Sequence, residues 1–224
     1  LARHARRQRI REDVMPDDYS DRPVSRATLM EIRGDREVIE EGYTFLDEKL
    51  VMLAQELLRR LAAYQQAGED FQLRQAAAHA ALADALGRHG LEGLQAYPPR
   101  RMNGARLHWQ RRDFLGVRLL EGAALEAGQG PAEAPAAVRP SAEADRCAAR
   151  FREVAEAGAA LAVEAANLRR LLAEYERTEQ RARALDNVIL PEVRQAEQRM
   201  NERLEESEQE EAVRIRLFAP AGRR

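Results

Sequence analysis

Apolar positions along this chain recur at alternating intervals of three and four over two long stretches. In the first, Ile39, Tyr43, Leu46, Leu50, Leu53 and Leu57 step by 4, 3, 4, 3 and 4. Leu29 and Ile32 extend the series upstream and Tyr64 downstream, with Arg36 and Arg60 interrupting it. Such a rhythm, held for about five heptads, is the seam of a coiled-coil helix. Ser25 supplies a capping side chain at the start, and no proline follows until Pro98. Gly87, Gly90 and Gly93 break the pattern, so a helix is predicted over 25–87, with Gly68 marking a bend. At 1.5 Å per residue, some sixty residues extend about 90 Å, far beyond an average globular helix.

The second stretch is Phe151, Val154, Gly158, Leu161, Ala165, Leu168, Leu172 and Tyr175, stepping 3, 4, 3, 4, 3, 4 and 3. It resumes with shifted phase through Leu185, Ile189, Val193, Ala196, Met200 and Leu204, giving a helix over 141–218 opened by Ser141 after Pro140. Pro191 falls inside this helix. An interior proline removes a backbone hydrogen bond, costs roughly 3 kcal/mol and kinks the helix. Each stripe is too narrow to stabilise a lone helix in water, so the two are expected to face each other. The expected fold is all-α dominated: a long antiparallel two-helix coiled coil, its second helix overhanging, with a small middle insert. In outline this is a rod with a foot.

The insert, 88–140, has a different texture. Leu107, Trp109, Phe114, Val117 and Leu119 stand among arginines, after Pro98 and Pro99 and around Gly116. Aromatic and β-branched residues between glycine and proline boundaries predict a β-hairpin over about 105–120. Its strands are expected at 105–110 and 114–120, with a turn near Arg112 and Asp113. Residues 127–140 read as a low-complexity linker, and 219–224 as a tail. Residues 1–24 carry five arginines in their first half and then Asp17, Asp18 and Asp21. Two readings of this arm stand: a basic arm touching an anionic partner, or a segment without fixed structure ahead of a start near Met15.

Composition narrows the chemistry. The 224 residues include 36 basic and 38 acidic side chains, for a net charge of −2, which argues against a dedicated polyanion binder. Aromatics are only 5%, little for a globular core of this length. The single cysteine, Cys147, excludes an internal disulfide and fits a reducing compartment. It reads as a small seam or surface residue rather than a nucleophile. No apolar run reaches the roughly 18 residues of a membrane span, and no apolar region follows the basic start as in a secretory signal. The only lysine, Lys49, precedes Leu50, so there is no Walker A loop. His4, His79, His89 and His108 lack metal-ligand spacing, and neither a nucleophile elbow nor a dinucleotide fingerprint is present. The run Glu202, Glu205, Glu206, Glu208, Glu210 and Glu211 reads as a solvated helix face. No catalytic residue, cofactor or metal is expected.

Three separated stretches resemble the D subunit of the V/A-type rotary ATPases. VSRATLMEI and EEGYTFLDEKL are similar to the family's opening blocks, with Arg26, Leu29, Ile32, Gly42, Leu46 and Lys49 matching. RRDFLGVRLLE resembles its Arg-Asn-Ile-Met-Gly-Val segment through Arg112, Gly116 and Val117, with Asp113, Phe114 and Leu115 as conservative replacements. TEQRARALDNVILPEV resembles Thr-x-x-Arg-Val-Asn-Ala-Leu-Glu-x-Val-x-Ile-Pro through Thr178, Arg181, Ala184, Leu185, Val188 and Pro191. The departures are Val24-Ser25 for Pro-Thr, Leu50-Val51-Met52 for a polar triplet, and an arm without counterpart. They mark a divergent bacterial member.

The resemblance implies a non-catalytic central-stalk axle. Both chain ends would insert into the cavity of the hexamer of A and B subunits. The foot would bind the F subunit and rest on the C or d socket subunit. Torque would pass between the hexamer and the membrane ring, on the cytoplasmic face of the inner membrane, without membrane insertion or direct nucleic-acid binding. The cavity end would be 25–46 with 185–218. Charged bearing contacts would come from Arg26, Arg181, Arg183, Arg214 and Arg216. The contact with the F subunit would come from Arg112, Phe114, Leu115, Gly116 and Val117. Competing readings are the coiled-coil stalk of a flagellar or type III export ATPase, which would lack the hairpin, an arginine-arm nucleic-acid-associated coiled coil, whose binding would be salt-sensitive, and an inert spacer.

Overall fold

The computed structural model describes Tyr19 and residues 22–97, 106–126 and 141–218. Helix α1 spans Arg26–Gln95. The hairpin strands are β1, Arg106–Phe114, and β2, Val117–Glu126. Helix α2 spans Ala142–Ala184, a π-helical turn covers Leu185–Ile189, and helix α3 spans Leu190–Phe218. The expected linker, tail and most of the arm lie outside the described residues. By contacts the chain divides into two units, residues 1–50 with 177–224, and residues 51–176.

In the first unit, Ser25 caps α1: its Oγ accepts from the Thr28 amide at 3.1 Å, and Thr28 Oγ1 donates to the Pro23 carbonyl at 2.9 Å. Leu29 and Ile32 from α1 pack with Ile189, Val193, Ala196 and Met200. The cross-helix ion pairs Arg26–Glu208, Arg33–Glu197 and Arg194–Glu40 run in opposite orders on the two helices, so the helices are antiparallel.

The arm departs from expectation here. Tyr19 is buried in the core of this unit. Its hydroxyl donates to Asp35 at 3.1 Å, and Arg22 lies over its ring, 5.2 Å from the centroid. Arg22 also pairs with Glu31 at 3.2 Å. One aromatic ring supplies the apolar area that the charged residues around it lack.

Pro191 does not interrupt the helical path. The Leu190 amide donates to the Leu185 carbonyl, five residues back. A proline ring in an α-helix meets the carbonyl four residues earlier, here that of Asn187. The wider π turn relieves that contact and inserts one extra residue. The extra residue is the phase shift of the stripe, because Leu185, Ile189 and Val193 follow each other at four and four.

In the second unit, the α1 seam keeps its rhythm beyond Tyr64 through Ala67, Phe71, Arg74, Ala78, Ala81 and Ala85. Ala78, Ala81 and Ala85 are buried, and Cys147 of α2 packs against Ala81 and Ala85. Gly158 lies under Phe71, where an added Cβ would meet the ring at 3.4 Å. The helix passes the expected end at Gly87 and breaks at Gly90, whose φ of 65° and ψ of 174° are not helical. Ser141 caps α2 through the Ala144 amide at 3.2 Å.

The hairpin is longer than expected and turns later. Arg112 and Asp113 belong to β1, and the turn is Leu115–Gly116, with φ of 49° and 87°. Two consecutive positive φ angles make the two-residue turn whose twist matches a hairpin. Gly116 adopts this readily. Leu115 is strained by it, and packing against the core of the unit holds it there.

Candidate partner-binding surfaces

In the second unit β2 is fixed against the helix pair. Val117 and Leu119 are buried with Leu53 and Leu171, and Phe114, Leu115, Leu57 and Tyr175 pack around them. Asn167, fully buried, clasps the strand edge: its Oδ1 accepts from the Leu120 amide at 2.8 Å, and its Nδ2 donates to the Leu120 carbonyl at 2.8 Å. One helix side chain thereby stands in for a neighbouring strand. Arg170 adds a bond to the Arg118 carbonyl at 3.1 Å.

Arg60, which interrupts the seam in the sequence, is buried at the junction. Its guanidinium reaches Glu56 at 3.0 Å, Glu164 at 3.0 Å and Glu121 of β2 at 3.2 Å, tying α1, α2 and the hairpin together. Burial works against its charge, but the bonds and charges of Glu56 and Glu164 outweigh this and raise its pKa. Glu56 has its pKa lowered, chiefly by the hydrogen bond from Arg59. Arg112 reaches the same Glu121 at 3.2 Å.

The five residues expected at a hairpin contact therefore divide. Val117 is buried, Phe114 and Leu115 are half-buried, and Arg112 and Gly116 are exposed. The accessible side belongs to β1, where Trp109 is 43% exposed. Among the seam residues, Leu53 is fully buried, whereas Ile39, Tyr43, Leu46, Leu50, Leu57, Leu161, Leu168 and Tyr175 are half-buried. Leu172 corrects the expectation, being 49% exposed beside a fully buried Leu171. The inner face of α2 passes through Asn167 and Leu171 because the hairpin covers that side. Of the expected stripe, Ala165 and Leu168 are half-buried, and only Leu172 reaches the uncovered side. Cys147 is buried, which pushes its thiol up from the usual value.

In the first unit the expected bearing arginines are all exposed. Arg26 pairs with Glu208 at 2.7 Å, and Arg183 with Glu179 at 2.7 Å. Arg181 sits just before the π turn. Arg214 and Arg216 lie beyond Glu208, where every residue from 205 to 218 is exposed, including Val213, Ile215, Leu217 and Phe218. At helical spacing Val213 and Leu217 share one face of this helix end, and Ile215 and Phe218 another, all of them exposed.

Among the described residues no group of three His, Cys, Asp or Glu is arranged to hold a metal, and no helix is long and apolar enough to cross a membrane. Residues 28–219 match the family model for the D subunit of ATP synthase. The chain belongs to the ATP synthase D subunit family. No curated protein matches the sequence. The D subunit is a stalk component of a rotary ATPase, working within a multisubunit complex rather than as a catalyst itself. The family match spans the hairpin, α2, α3 and all but the first two residues of α1, and begins after Tyr19 and Ser25.

Sequence reasoning missed Asn167, Arg170, Glu121 and Tyr19. Arg60 did leave a signal: a charge at a seam position within an otherwise apolar rhythm. Asn167 left none that distinguishes it from a surface polar residue.

Proposed function

We propose that this chain is the central-stalk axle of a V/A-type rotary ATPase or ATP synthase. It transmits torque between the catalytic hexamer of A and B subunits and the membrane ion-translocating ring, at the cytoplasmic face of the bacterial inner membrane. The observation that carries this reading is the family match over 28–219, which includes the helices and the hairpin alike. The hairpin also speaks against an export-ATPase stalk.

On this reading both chain ends, residues 25–46 with 185–218, enter the hexamer cavity, including the exposed end of α3. Arg26, Arg181, Arg183, Arg214 and Arg216 are the bearing contacts there. The hairpin side of the second unit contacts the F subunit, and the foot rests on the C or d socket subunit.

Native co-purification from the source cells through a tag on this chain tests the assignment. Two large nucleotide-binding subunits and a small F-like protein should appear by mass spectrometry; export-apparatus proteins or nucleic acid in their place would refute it. Charge reversal at Arg214 and Arg216 should slow ATP-driven rotation of the assembled complex. Rotation at the wild-type rate would remove the bearing role.

A further inference from the structure

The hairpin has two edges, and α2 closes only one. Leu120 gives both backbone groups to Asn167, and Arg118 gives its carbonyl to Arg170. In an antiparallel pair, a residue whose N–H and C=O face outward stands opposite one whose groups also face outward, on the far edge. The register pairs Leu120 with Arg111 and Arg118 with Asp113. Arg111 and Asp113 therefore direct their N–H and C=O groups away from β2, along the outer edge of β1.

Among the described residues the sheet has only these two strands, so nothing described pairs with that edge. Arg111, Arg112 and Asp113 are exposed. Native proteins blunt an open edge with a bulge, a proline or a short strand. Here the one irregularity lies between His108 and Gln110, where β2 contributes an extra residue at Gly122, with φ of 64°. It leaves 110–114 in regular register. β1 carries Arg106, Arg111 and Arg112 against the single Asp113; Arg112 is paired with Glu121, and Arg106 and Arg111 leave the edge cationic. Trp109, at the bulge, adds an apolar face beside it.

We propose that the outer edge of β1, over residues 110–113, accepts a strand from the F subunit, an acidic segment with an apolar residue set against Trp109. Main-chain bonds at Arg111 and Asp113 hold the strand, the arginines select its charge, and Trp109 fixes its register. The proposal rests on the assignment of the hairpin side to the F subunit.

The test uses the full chain co-expressed with the F subunit from the same cells. In the complex the amides of Arg111 and Asp113 should become slow to exchange with solvent, while those of the β1–β2 ladder stay unchanged. Arg111→Pro removes the outward N–H without touching a bond to β2, and should weaken binding of F by about tenfold or more. Arg111→Ala keeps the N–H and should weaken it less, with a smaller salt dependence than the wild type. Unchanged circular dichroism and thermal midpoint show that the proline variant is folded. Fast exchange at both amides in the complex, or wild-type affinity of Arg111→Pro, overturns strand addition. If Trp109→Asp still abolishes binding in that case, the hairpin contact survives without the strand. If Trp109→Asp also binds normally, the hairpin contact falls too. A dimer of the chain alone that Arg111→Pro dissolves would give the edge to a second copy and overturn the proposal.

Discussion

Asn167 sits in the middle of a helix with both amide groups engaged by a strand. Asn167→Leu keeps the volume but leaves the Leu120 amide and carbonyl without partners. Each orphaned group costs roughly 1 to 3 kcal/mol, so the denaturation midpoint should fall, and hydrogen exchange should show the hairpin opening first. Tyr19 supports the other unit. Burial, then Asp35, raises its pKa from 10.0 to about 12. The unfolded chain loses this proton at lower pH than the folded one, so the associated stability is present below pH 10 and disappears as pH rises toward 12. Tyr19→Phe should flatten that alkaline decline and lose about 0.5 to 1.5 kcal/mol near neutrality, the usual contribution of one hydrogen bond. Glu56 works in the opposite direction: its lowered pKa means that its stabilisation is lost as pH falls below 4.5, and Glu56→Gln should lessen that acid sensitivity.

At the scale of elements, the π turn has two causes that can be separated. Pro191 lacks an amide, and the stripe carries one residue too many for an α-helix. Deleting Val188, an exposed residue of the turn, restores the spacing 3, 4, 3, 4 from Leu185 onward but forces Pro191 into a regular helix. This should cost roughly 3 kcal/mol. The same deletion with Pro191→Ala should recover most of it, as a double-mutant cycle by chemical denaturation would show. The helices are legible because leucines at heptad spacing carry the signal. Beyond Tyr64 the seam is not, because alanine is as common on a helix surface as inside one. The hairpin is legible from its aromatics, but the residue pattern puts its turn three residues early, since Arg112 and Asp113 are the more typical turn formers. Leu171 and Leu172 are indistinguishable by pattern. Only the hairpin, lying on one side of the pair, decides which is buried.

For the whole molecule, family membership implies a multisubunit complex. Truncation after Gln209 should leave the thermal stability nearly unchanged, because residues 210–218 contribute no buried side chain. It should impair assembly with the hexamer, as measured by the fraction of chain in the purified complex. Preserved assembly would show that this end is dispensable. Substitution at Arg60 should instead destabilise the second unit, since Glu164 would lose its buried cation and Glu56 and Glu121 would keep only the exposed Arg59 and Arg112.

The alanine seam of α1 carries a mechanical consequence. Where Ala81 and Ala85 meet Cys147, the side chains are short, so the helix axes run close together and interlock shallowly. A pair of cylinders resists twisting in proportion to the spread of its material about the common axis, and close axes make a compliant section. Around Leu53, Leu171 and the clasped hairpin the material is spread wider and cross-tied. If the chain turns against a load, as proposed above, the alanine section is the spring, and the hairpin-braced section is the shaft.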